Sequence, residues 1–75
     1  MNNSFVQRQA EKLAERVTRE GKGDSAGAIK AAYRYALGRL PQRDELKLAE
    51  AAIRDRGLFG VCWALLNSSE FLYVQ

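Results

Sequence analysis

Residues 58–66 read LFGVCWALL, and the fold turns on how that stretch is accommodated. Eight of its nine residues are apolar, Gly60 being the exception, and it holds the chain's only Trp and only Cys. A helix that is apolar on every side cannot lie on a surface; other elements have to wrap it. The segments before it each carry one apolar face suited to wrapping. The expectation is an all-α protein: a compact four-helix bundle with a nearly all-apolar C-terminal helix at its centre.

Working outward, the first helix is expected over about residues 4–20. Val6, Ala10, Leu13 and Val17 recur at steps of four, three and four, and Ser4 with Gln7 fits a capping box. Glu15 and Arg19 are placed for an i,i+4 ion pair. Gly21, Lys22, Gly23 and Asp24 end that helix. The second helix is expected over 25–37, with Asp24 or Ser25 as cap and Ile29, Ala32, Tyr33, Ala36 and Leu37 along one stripe. Gly38 supplies a left-handed closing residue, and Pro41 prevents continuation. The third helix is expected over 43–56, with Asp44 and Glu45 in the first turn, where the helix dipole favours negative charge. Leu46, Ala49 and Ile53 form its inner face, flanked by Leu48 and Ala52. Gly57 is read as the break before the fourth helix, 58–67. A short coil over 69–73 follows the turn at Asn67 and Ser68. Period-two alternation and hairpin dipeptides are missing, so no strand is predicted.

The chain has 75 residues, enough for one domain, with 47% hydrophobic and 28% charged residues and a formal charge of +3. No run approaches the roughly 18 apolar residues of a membrane span. With one Cys and no His, there is no internal disulfide, no His-based general base and no C-x-x-C-H haem attachment. The opening MNNSFVQRQAEK has neither a basic n-region nor an apolar h-region, so the expectation is either an intracellular domain or a piece of a longer exported chain.

Three motifs, NNSFVQRQAEKLAERV, AAYRYALGRLPQRDEL and LLNSSEFLYV, cover nearly the whole chain. Together they resemble the C-terminal part of a large domain of unknown function found in planctomycete proteins, which often also carry a cytochrome c-like segment. Asn3, Phe5, Gln9 and Ala10 match the opening motif. Leu37, Gly38, Arg39, Pro41, Glu45 and Leu46 match the turn. Leu65, Leu66, Asn67, Ser68, Glu70, Phe71, Leu72 and Tyr73 match the ending. The chain departs at Gln42, where the family places a Thr or Ser cap, which predicts a ragged start to the third helix. It departs again at Trp63, where the family has a smaller or more polar residue. The resemblance implies no catalytic residues, any haem elsewhere in the parent, and an exported or periplasmic protein of which this is the C-terminal fragment.

The candidate interaction surface consists of Arg8, Lys12 and Arg16, stacked along the first helix, with two aromatic anchors: Tyr35, off the inner stripe of the second helix, and Tyr73, at the very end. Glu11 and Glu15 interleave with the bases, so the stripe reads first as a solvated face laced with ion pairs. Gly38, Arg39, Pro41 and Glu45 form a structural turn in which Arg39 reaches the last carbonyls or Glu45. Trp63, Asn67, Glu70 and Phe71 are assigned to the core and the closing motif. Cys62 is read as a buried, inert thiol. No catalytic, metal or cofactor residue is assigned, and no small-molecule ligand. The expected function is a non-catalytic helical module that packs against its parent chain, a protein partner or itself. The alternative is a basic helix-turn-helix presenting Arg43, Lys47, Glu50 and Arg54 to nucleic acid.

Overall fold

The computed structural model describes residues 4–68, and within them every regular element is helical. α1 spans Ser4–Gly21, α2 spans Ser25–Leu37 and α3 spans Arg43–Leu66. Each helix packs against the other two. None of them is long and apolar enough to cross a membrane.

Asp24 is the cap of α2: its Oδ2 accepts the Gly27 N–H at 3.2 Å. At the other end Gly38 takes φ 73° and its N–H reaches the carbonyls of Tyr33 and Arg34. Ser4, expected as a cap, is already the first residue of α1. At the end of α3 the Asn67 N–H and side-chain amide both donate to the Trp63 carbonyl, and Ser68 donates twice to that of Leu65. Glu70, Phe71, Tyr73 and the coil expected over 69–73 lie outside the described residues.

The expected four-helix bundle is corrected to three helices. The segments read as a third and a fourth helix form one element, α3, because Gly57 alone leaves the helical region (φ 77°, ψ 170°). A glycine in that conformation turns the chain without a loop, so the break shows as a kink inside one helix. The expected centre is corrected as well. Beyond the kink only Val61, Cys62 and Leu65 are buried; Leu58, Phe59, Trp63 and Leu66 are half-buried and Ala64 is exposed. α2 is the most enclosed helix, with Ala28, Ile29, Ala32, Tyr33 and Ala36 all buried. The reason is geometric. In a three-helix packing each rod has two neighbours and keeps one outward side, so a rod that is apolar all round stays partly uncovered. The core is rich in alanine, with Val17, Ile29 and Cys62 the largest side chains that are fully buried.

Positive φ with ψ near 180° is a region essentially confined to glycine, and holding another residue there costs of order 1–3 kcal/mol. A Cβ added at Gly57 would meet nothing within 4 Å, so its effect is pure backbone strain. Gly57→Ala is therefore expected to lower unfolding stability by about 1–3 kcal/mol, read from the urea midpoint; an unchanged midpoint would show that the kink does not need glycine.

Candidate interaction surface

Two polar clusters join the helices. The first lies in the turn between α2 and α3. Arg39 directly follows Gly38, and its guanidinium makes a two-pronged contact with Glu45: Nη1 to Oε1 at 2.8 Å and Nη2 to Oε2 at 2.9 Å. Nη1 also donates to the Leu40 carbonyl at 3.0 Å, and the guanidinium lies 5.6 Å from the centre of the Tyr33 ring. Glu45 Oε1 additionally accepts the Gln42 N–H at 2.8 Å. A carboxylate in the first turn thus captures the backbone donor ahead of the helix. The ragged start expected from Gln42 is absent for this reason: Glu45 performs the capping, and Leu46 N–H closes on the Gln42 carbonyl at 2.9 Å. The contacts from Arg39 and from the Gln42 N–H hold the Glu45 carboxyl down at about 2. Pro41, half-buried, lies in the same turn, between Arg39 and Glu45 in sequence.

The second cluster joins α1 to α2. Tyr35 O–H donates to Glu20 Oε2 at 2.5 Å, Arg16 Nε donates to the same oxygen at 3.3 Å, and the Arg16 guanidinium sits 4.3 Å above the Tyr35 ring. Chiefly through the tyrosine hydroxyl, the Glu20 carboxyl is lowered, while the Tyr35 phenol is raised by the carboxylate it donates to. The pairing of α1 differs from expectation. Glu15 and Arg19 make no ion pair, whereas Arg16 and Glu20 do. An acid placed C-terminal to its base is the weaker orientation on a helix; here Tyr35 holds the carboxylate in place from the neighbouring helix.

Arg8 and Lys12 are exposed and have no ion pair among the described residues, so the ion pairs expected with the interleaved Glu11 and Glu15 do not form. Lys12 and Arg16 form one rim of an open groove of about 310 Å³, floored by Leu13, Ala36 and Leu66 with Tyr35 at one end. Through Gln9 and Leu66 it runs on into an apolar groove of about 360 Å³ that also includes Phe5 and Val6. A separate groove of about 330 Å³ follows the kink of α3, past Leu48, Ala52, Gly60 and Ala64. Leu48, expected to flank the inner face, is 71% exposed.

The structure therefore brings Lys12, Arg16 and Tyr35 to one place and sets Arg8 one turn away; Tyr73 is outside the described residues. Glu20, Gln9 and Leu66 were not read as part of this surface. Glu20 could have been found from its i,i+4 spacing to Arg16, but its bond to Tyr35 crosses between helices and has no local signal. Of the helix-turn-helix residues, Arg43, Lys47 and Arg54 are exposed and Glu50 is half-buried. Burial pushes the Cys62 thiol up to about 11, so it is protonated at neutral pH. Trp63 stacks obliquely on Phe59 at 6.0 Å, and its buried indole N–H has no acceptor among the described residues. Compared with protein-family models, curated proteins and solved structures, the chain matches none.

Two outcomes follow from the clusters. Because Glu45 is depressed on folding, its contribution is complete above the ordinary carboxylate value of 4.5 and is lost as the pH falls toward 2. Glu45→Gln should melt below the wild type at neutral pH, and the gap should close between pH 4.5 and 2; thermal melts followed by circular dichroism across that range check this. Tyr35→Phe removes the largest cause of the low Glu20 value, so a carboxyl-carbon NMR titration should show Glu20 moving up toward 4.5.

Proposed function

We propose that this chain is a non-catalytic helical module of a larger protein of the planctomycete type, built to pack against the rest of that protein or against a protein partner. The observation that supports it is the incomplete enclosure of α3. An apolar groove follows the kink, Leu48 stands 71% exposed beside it, and Phe5 is 60% exposed at the start of α1. In a small domain, exposed apolar surface of this kind marks a place where another protein surface fits. The side chains that bear charge at the helix junctions support the same reading, since Arg39 with Glu45 and Arg16 with Glu20 and Tyr35 hold helices together.

The competing reading is a nucleic-acid module, favoured by the exposed Arg43, Lys47 and Arg54. Light scattering over a concentration series and a gel-shift titration at two salt concentrations separate the two. For the module, mass should rise with concentration and Leu48→Glu should restore the monomer. A strict monomer that shifts duplex DNA, with affinity falling steeply as salt is raised, would replace the module reading.

A further inference from the structure

We propose that the groove between α1 and the end of α3 receives an acidic amphipathic helix from a partner protein, an inference that rests on the interaction-module reading and names the partner. The floor is apolar: Phe5, Val6, Leu13, Ala36 and Leu66. The rim on the α1 side is cationic. Lys12 and Arg16 line it at single-turn spacing, Arg8 lies one turn further back and outside the lining, and Lys12 has no ion pair among the described residues. Arg16 is held in position by the Tyr35 ring and Glu20. Glu20 stands at the Tyr35 end and is occupied by Arg16 and Tyr35. Glu11 and Glu15 lie across the basic stripe from Leu13 and line neither part of the groove.

Length selects the class of occupant. Phe5 to Arg16 spans eleven helical steps, about 16 Å at ~1.5 Å per residue. That is about three turns of a partner helix, whose apolar residues at i, i+3 or i+4, and i+7 would meet the floor. Carboxylates one turn apart on its flank would face Lys12 and Arg16. A single anionic headgroup would occupy only one end of such a trough.

The probe is a hydrocarbon-stapled 15-residue amidated peptide with Leu along one face and Glu beside it, compared with a twin in which every Glu is Gln. Titrated into the full chain, it should shift the amide resonances of Gln9, Lys12, Leu13, Arg16 and Leu66. Its affinity should fall as salt rises and exceed that of the Gln twin. Lys12→Glu, at an exposed position without an ion pair, should fold normally by circular dichroism and weaken binding about fivefold or more. Replacing the flanking Glu residues of the peptide by Lys should restore affinity for that variant. Equal binding of the twin, shifts confined to the Leu48 side, or no shift at millimolar peptide each overturn the proposal. So does tight binding to anionic phosphatidylglycerol vesicles that Lys12→Glu abolishes while the peptide stays unbound, since the groove would then serve a lipid surface. If Leu48-dependent association persists while the peptide fails, the groove assignment falls and the module reading stands.

Discussion

The arrangement depends on one backbone conformation, that of Gly57. A straight α3 of 24 residues would measure about 36 Å, whereas the longest extent of the molecule is 27 Å. Only by leaving the helical region at one residue can the apolar limb after Gly57 turn onto α1 and α2. That turn brings Val61, Cys62 and Leu65 into contact with the alanine-rich stripe of α2 and with Ala10 and Val17 of α1. Every inter-helix contact of the limb, and both grooves beside it, follows from that single residue.

The core that results is close-set. With Ala10, Ala28, Ala32, Ala36 and Ala49 buried in it, few large side chains are needed to fill it. At the junction of α1 and α2, a Cβ on Gly21 would come within 2.8 Å of the Ala28 nitrogen, so only glycine fits there. A core of this kind buries little area per residue, which gives the polar junctions more weight. Arg39 and Glu45 align the start of α3 on the end of α2, and Glu20 with Tyr35 ties α2 to α1. Both use a carboxylate that accepts from two residues, which limits its freedom more than one contact would.

Three helices enclose less than four. The outward sides of α1 and α3 keep apolar residues in view of solvent, and the cationic stripe of α1 runs along one of them. Charge and oiliness therefore occur side by side on the same face.

The sequence by itself determined the helical class, the extent of α2, its Gly38 cap, the choice of Asp24 or Ser25 as its N-cap, and most of the inward positions of α1 and α2. Those features depend on neighbours within one or two turns, and periodicity and capping chemistry report such neighbours directly. It could not decide whether Gly57 separates two helices or kinks one, because a glycine carries the same local signal in both cases and the outcome depends on what the following limb packs against. It pointed to Arg8, Lys12, Arg16 and Tyr35, yet paired α1 internally through Glu15 and Arg19. Tertiary structure instead placed Tyr35 where it captures Glu20, fifteen residues away, and the ion pairing of α1 followed that capture. How much of an all-apolar segment stays uncovered was likewise a tertiary matter, set by the number of neighbours and not by the segment's own residues.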